Sequence, residues 1–329
     1  MASVNAVRGL EIGPWRPGDE ASICRLFRRT FGREKGVAEW RWEFLGQGIE
    51  PHVMVARDDD GEVVAHFGGI PHRARVAGRS AMFTVAVDSM VAPERRAGLK
   101  RRGLFAAVVG RWVERFCERG PVEIGYGLAN REALRIGGRL LGYTPLEVSV
   151  LLARRLAPRS DETARGEVEG GDAPAADHDA LWERCADRLD VTACRDARFM
   201  NWRYRDVPGG GYSFLAVRRR GRLTVSAVFK ERYVVSDSAT LVDVLWDGGD
   251  PRDLAVCVRA AERRARAAGH AHLAVLLPNR SREATELHVL GYRRAETGLT
   301  LVGRSFRAGL DLASITPRFF FTCGDFDLV

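Results

Sequence analysis

The sequence predicts an α/β (α+β) protein made of two tandem modules, each a mixed, largely antiparallel central sheet flanked by helices. Three observations predict it. The first half alternates strand-like and helix-like patterns in the order β, α, α, ββ, β, α, β, α, β. The second half repeats that order, and twelve residues separate Asn130 from Gly142-Tyr143 just as they separate Asn279 from Gly291-Tyr292; self-similarity at this scale is the mark of a duplicated unit. At 329 residues the chain exceeds a typical single α/β core, so two domains are the default. The expected boundaries are a first module at 1–154, a flexible acidic linker at 155–180 and a second module at 181–329.

From Leu10 to Phe31 the pattern is a strand, the turn Pro17-Gly18-Asp19-Glu20, then a helix with Ile23, Leu26, Phe27 and Phe31 on one face and Asp19 as its N-cap. Trp40-Arg41-Trp42-Glu43-Phe44 lies in a further helical piece. Val53–Arg57 and Val63–Ile70 read as a hairpin closed by Asp58-Asp59-Asp60-Gly61. Phe83–Val91 is a buried strand ended by Pro93, and Leu104, Val108, Trp112, Val113 and Phe116 set the period of the helix after it. Pro121–Tyr126 is a short strand, and Asn130–Leu141 a helix ended by Gly142-Tyr143. Residues 157–179 are acidic, small and nearly free of large apolar side chains, the composition of a linker or disordered loop. Beyond them, Trp202-Arg203-Tyr204 answers Trp40-Arg41-Trp42. A hairpin turning at Arg220-Gly221 answers the first hairpin, and Thr240–Trp246 answers the buried strand.

Between that strand and its helix lies a loop dense in arginine and glycine. Strand, basic glycine-containing loop and helix N-terminus together make an anion site. Unpaired backbone N–H groups point outward, the helix dipole favours negative charge, and glycine admits a phosphate close to the backbone. Neither GxxxxGK[ST] nor a GxGxxG following a strand is present. What the segment Lys100-Arg101-Arg102-Gly103-Leu104-Phe105 resembles is the pyrophosphate arm of the GNAT acyltransferases, Q/R-x-x-G-x-G/A, from which it departs at its first and last positions; Arg95-Arg96-Ala97-Gly98 fits the first half of the same pattern. The family's later motif, N-x-x-A followed by G-F, is matched by Asn130-Arg131-Glu132-Ala133 and Gly142-Tyr143. The tandem arrangement is similar to the first two modules of the enhanced-intracellular-survival acetyltransferases.

The resemblance implies a donor and an acceptor: acetyl-CoA or another acyl-CoA, and a primary amine on a small molecule. It implies that the backbone of Ser89, Met90 and Val91 holds the pantetheine, with the Val91 N–H polarising the thioester carbonyl. Arg101–Phe105, including Arg102, Gly103 and Leu104, take the pyrophosphate with help from Lys100, and Asn130 touches the cofactor or a water bound to it. Asp88 stands where the family places a base, although a hydrogen-bonded strand aspartate fits equally. The family's acid, a tyrosine seven or eight residues after the asparagine, is replaced by Gly137 and Gly138, leaving Tyr126 and Tyr143 as alternatives. The aromatic C-terminal segment resembles tails that return to the first active site, which makes Asp325, Asp327 or the Val329 carboxylate a proton acceptor; an edge strand packed by Phe319–Phe321 is the plainer reading. Asp247-Gly248-Gly249-Asp250 stands where the second module's arm belongs, and its acids make a poor pyrophosphate cradle.

Composition narrows the rest. The net charge of +8 suits an anionic ligand, but the basic residues are almost all arginine, with lysine only at Lys35, Lys100 and Lys230, and are spread along the chain. Nucleic acid is therefore not expected as the main ligand. Six cysteines without a CxxC pair and seven histidines without HxxxH spacing exclude a recognisable metal site and fit reduced core thiols in a cytoplasmic protein. No signal peptide, anchor or membrane span is expected. The alternatives to transfer are a degenerate CoA-binding protein, a thioester decarboxylase or acyl-carrier loading protein, and an RNA-dependent transferase.

Overall fold

The computed structural model describes residues 9–96, 103–148, 151–157, 167–232 and 238–326. The chain forms two compact units, one drawn from the chain up to Arg73, from Ala81–Pro145 and from Val302–Leu312, the other from Ala74–Ser80, Leu146–Leu301 and the segment from Ala313 onward. In order, the elements of the first half are β1 (Glu11–Pro14), α1 (Glu20–Phe31), α2 (Val37–Leu45), β2 (His52–Arg57), β3 (Val63–Val76), β4 (Arg79–Val91), α3 (Leu104–Trp112), β5 (Val122–Ala129), α4 (Arg131–Leu140) and β6 (Thr144–Val148). The first half closes with β7 (Leu151–Arg155), and the second half gives β8 (Val168–Gly171), α5 (His178–Ala186), β9 (Val191–Ala193), α6 (Ala197–Met200), β10 (Tyr212–Arg219), β11 (Arg222–Glu231), β12 (Ser238–Trp246), α7 (Pro251–Ala267), β13 (His272–Leu276), α8 (Arg282–Val289), β14 (Arg293–Ala295), β15 (Thr300–Ser305), α9 (Leu312–Ile315) and β16 (Phe319–Phe320).

The predicted duplication is present as strand order. One sheet runs β1-β2-β3-β4-β5-β15-β6, the other β8-β10-β11-β12-β13-β7-β14. In each, four antiparallel or meandering strands are followed by one parallel neighbour (β4 to β5, β12 to β13). The sixth place is held by a strand from the opposite half of the sequence: β15 beside β5, and β7 beside β13. Local periodicity announces that a strand exists but not which strand it pairs with, so this exchange was not legible beforehand.

Packing in the first unit centres on Trp112. Its indole N–H donates to the His52 carbonyl at 2.7 Å, Phe67 meets it edge-on at 5.0 Å, and it lies against Gly69, where a Cβ would stand 2.6 Å from both Trp112 and the Thr84 hydroxyl. α1 buries Ile23, Leu26 and Phe27 and ends at Gly32, whose φ of 69° is left-handed. Asp19 occupies the N-cap position but its side chain does not cap; it holds Arg57 and accepts from the Arg16 N–H at 2.7 Å. In the second unit, α5 and α7 bury Leu181, Trp182, Leu254, Cys257, Val258 and Ala261 against the sheet. All six cysteines are free thiols. Among the described residues no helix is long and apolar enough to cross a membrane.

Three expectations need correction. Val168–Gly171, in the stretch whose composition suggested a linker, is an edge strand paired with β10, and Leu151–Arg155, expected at the end of the first module, lies in the second sheet between β13 and β14. The repeated helix stop is real, with Gly142 and Gly291 both left-handed (φ 68° and 92°) and Tyr143 and Tyr292 both buried. The repeated asparagine is not, because Asn130 caps α4 whereas α8 starts two residues later on Ser281.

Candidate functional site: the gap between β4 and β5

β4 and β5 pair in parallel from Met82↔Val122 to Val85↔Tyr126 and no further, although β4 runs on to Val91 and β5 to Ala129. The strands part where β4 is bent: Asp88 has a left-handed backbone (φ 48°), uncommon for a non-glycine residue and a kink within a strand. Its carbonyl accepts from His66 Nδ1 at 2.7 Å. Because a carbonyl only accepts, this bond fixes the His66 tautomer with the proton on Nδ1. Burial lowers the His66 pKa, so the ring is neutral, and its Nε2 is buried without a hydrogen-bond partner.

Beside the parted end of β4, under the start of α3, lies a groove of about 400 Å³ lined by Ser89, Met90, Val91, Gly103, Leu104 and Phe105 together with Thr30, Arg95, Arg96, Glu132 and Ile136. α3 begins at Gly103, whose φ of −74° and ψ of 162° are extended; no side chain caps the helix and no acidic residue lies in its first turn. The first-turn N–H groups are thus left for an anion. Arg96 is braced across the groove wall by donating to the Val91 carbonyl at 3.1 Å. This donor set fits a pyrophosphate. Of the arm residues expected from the sequence, Gly103, Leu104 and Phe105 line this groove, and Lys100, Arg101 and Arg102 lie outside the described residues. Arg95 and Arg96 are cations that the favoured frame of the arm passed over.

A second, apolar chamber of about 170 Å³ adjoins the groove, sharing Ser89, Phe105 and Ile136 with it. Tyr126 lines it at the point of divergence with its hydroxyl 3.0 Å from His72 Nδ1. Tyr143 lines it too; its hydroxyl is buried without a partner, packs so closely on Gly125 that a Cβ there would stand 2.5 Å away, and has its pKa raised by burial.

The structure changes the reading of two expected site residues. Asn130 spends its side-chain oxygen on the N–H groups of Glu132 and Ala133, at 3.1 and 2.9 Å, so it is the cap of α4. Asp88 is not a free carboxylate: Lys35 Nζ lies 2.7 Å from it and 2.6 Å from Glu43, with all three side chains at most 6% exposed. Burial by itself would lower the Lys35 pKa, but the Glu43 and Asp88 carboxylates outweigh it and hold the ammonium above its ordinary value. Lys35 was detectable in principle, being one of three lysines in a chain that otherwise uses arginine. Val329 lies outside the described residues. Asp325 is buried in the second unit, paired with Arg195 and accepting from the Thr322 N–H at 2.7 Å, and Phe319–Phe320 pair with β9; of the two readings of the tail, the packed strand is the one found over these residues.

No protein-family model matches the sequence, and no curated protein is detectably similar to it. Solved structures match in fold. A GCN5-related N-acetyltransferase from Anabaena variabilis ATCC 29413 is similar with a TM-score of 0.64 at 11% identity, over 91% of this chain and 73% of that one. One from Kribbella flavida gives 0.63 at 15%, over 93% and 73%. A conserved protein of unknown function from Enterococcus faecalis V583, described as a probable N-acyltransferase, gives 0.61 at 9%, over 91% and 72%. Identities this low speak for architecture alone, and at that level the conclusion is plain: across both halves, this chain has the fold of the GCN5-related N-acetyltransferases.

Proposed function

We propose that the first unit is an acyl-CoA-dependent N-acyltransferase that moves an acyl group, acetyl in the simplest case, to a primary amine of a small molecule. The observation that carries this is the parting of β4 from β5 beside a groove that lies beneath an uncapped helix N-terminus with no acid in its first turn. Acyl-CoA, when bound, supplies an activated carbonyl with a thiolate leaving group. The first-turn N–H groups of α3, with Arg95, Arg96 and the arm residues Lys100, Arg101 and Arg102, hold the pyrophosphate. The edge of β4 from Ser89 to Val91, which has no β5 partner, holds the pantetheine and offers the Val91 N–H to the carbonyl. Tyr126, hydrogen-bonded to His72, is placed to give a proton to the departing sulfur.

One observation favours a second reading, a CoA-binding protein without transfer. Asp88, the carboxylate on β4, is already ion-paired with the buried Lys35 ammonium, so its carboxylate is committed to that pair and not turned to an acceptor amine. Calorimetric titration with acetyl-CoA, malonyl-CoA and free CoA tests the binding step: one site per chain at micromolar affinity, about −8 kcal/mol, is expected, and no binding to any of the three overturns both readings. Thiol release across a panel of amines then separates them. Release only with an amine present supports transfer; loss of the malonyl carboxylate without an amine points to decarboxylation.

A further inference from the structure

We propose that the donor recognised by the first unit carries an acyl chain of about four to six carbons, seated in the apolar chamber beside the groove. This rests on the acyl-CoA reading above and deepens it.

The chamber walls are mostly hydrocarbon. α4 contributes Ala133, Ile136, Gly137 and Leu140, spaced i, i+3, i+4, i+7, the stripe by which a helix normally packs on its core. Yet none of α4's residues is buried. The helix turns its apolar face to a cavity. Facing it are Phe67, Phe105, Val109 and Leu141. The matching helix of the second half, α8, is closed down instead, with Ala284 and Leu287 buried at 0% and 1% exposure.

Continuity decides the occupant. The chamber and the groove share Ser89, Phe105 and Ile136, so the chamber lies directly against the groove, one side chain away from a ligand held there. Pyrophosphate needs cationic partners, which the groove supplies at Arg95 and Arg96; no cation lines the chamber, whose side-chain polar groups are Ser89 and the Tyr126 and Tyr143 hydroxyls. What fits a pocket of this character is an alkyl chain. Its volume of about 170 Å³ is close to that of an engineered apolar cavity that takes up benzene, a six-carbon ligand.

Gly137 is the residue that keeps the space open. A Cβ there would meet nothing closer than Tyr143 Cδ2 at 3.7 Å, so a methyl group fits and a branched side chain extends into the chamber. Glycine in mid-helix also weakens α4, a cost consistent with a need for room.

The test is calorimetric titration of the full chain with free CoA and with acetyl-, butyryl-, hexanoyl- and decanoyl-CoA. Affinity is expected to rise about fourfold per methylene from acetyl to hexanoyl and then to level or fall at decanoyl. In Gly137→Leu the ratio of hexanoyl- to acetyl-CoA affinity should drop to near one; Ala133→Leu, from the same helix face, serves if the first variant melts early. A flat series in the wild type, a preference for acetyl, or an unchanged ratio in folded variants overturns the chain-length proposal while leaving CoA binding intact. Absence of binding even to free CoA overturns the acyl-CoA reading itself, and the proposal falls with it.

Discussion

The two halves of this chain build the same gap and treat it in opposite ways. In the first unit β4 and β5 part after Val85 and Tyr126, and the space stays open. In the second, β12 and β13 pair from Ser238↔His272 to Leu241↔Val275, and β12 continues to Trp246. Here the chain's own C-terminal segment lies at the divergence. Gly324 packs on β12 so closely that a Cβ would stand 2.7 Å from the Asp243 carboxylate and closer still to the Tyr204 hydroxyl, and Cys323 beside it is fully buried. Arg195, fully buried, ties Asp243 to Asp325. The helix ends differ as well. α3 starts bare at Gly103, whereas Asp250 accepts from the Arg252 N–H at 2.9 Å at the start of α7 and Arg219 bridges Asp250 and Asp253. A shared strand order thus leaves whether the gap stays open to a few residues, those that cap a helix and those that return a segment.

The largest effect is expected from breaking the closed gap. Arg195→Met leaves Asp243 and Asp325 buried without their cation, and losing one member of a buried ion pair costs about 3–5 kcal/mol. Urea denaturation, with amide exchange read at β12 and β13, should register this in the second unit. A loss below about 1 kcal/mol would mean the segment merely rests on the gap, as a surface pair does.

Acid should then separate the units. Burial lowers the pKa of His52 to about 4, and that of His66, in the first unit; in the second it lowers that of His178. These rings fold neutral, while the unfolded chain takes up protons near the ordinary value of 6.5. Their contribution is therefore fully present above pH 6.5 and lost as pH falls towards 4, worth ~3 kcal/mol from His52 alone. Denaturation midpoints from pH 7.5 to 4.5 check this. His52→Leu should flatten the slope, and a slope unchanged by that substitution would exclude His52 as its source.

Opening the other way, Gly103→Glu sets a carboxylate at the bare start of α3. Gly103 is extended at φ −74°, a conformation any residue adopts, so stability should move by no more than about 0.5 kcal/mol. CoA affinity should fall about a hundredfold, roughly the loss of two charge-assisted contacts. Unchanged affinity would separate the groove from the cofactor.

How much of this was legible depended on whether a feature is local. Asp58-Asp59-Asp60-Gly61 closes its hairpin as read, with Gly61 left-handed at φ 78°, because a turn is written in adjacent residues. The strand and the helix that flank the basic loop, β4 and α3, were legible for the same reason, while Lys100, Arg101 and Arg102 lie outside the described residues. β8 was not, because Val168-Glu-Gly-Gly171 has no apolar alternation and is held through backbone pairing at a sheet edge. Nor was the fate of Asp88, whose partner Lys35, shared with Glu43, lies 53 residues away between α1 and α2. Pairings at that separation leave no periodic trace.

The smallest effect sharpens the comparison most finely, because it concerns a residue with two assigned roles. Asn130→Ala and Ser281→Ala each remove the side-chain cap of a corresponding helix, and each should cost about 1 kcal/mol. If Asn130 only caps α4, the two variants behave alike and CoA affinity changes by less than about threefold, the residue of a slightly frayed helix. If it also contacts the cofactor, affinity in Asn130→Ala should drop well beyond that while Ser281→Ala stays at wild type. Because its oxygen already accepts two backbone N–H groups, the first outcome is the one expected, and the asparagine shared by both halves of the sequence would mark where a strand ends and a helix begins.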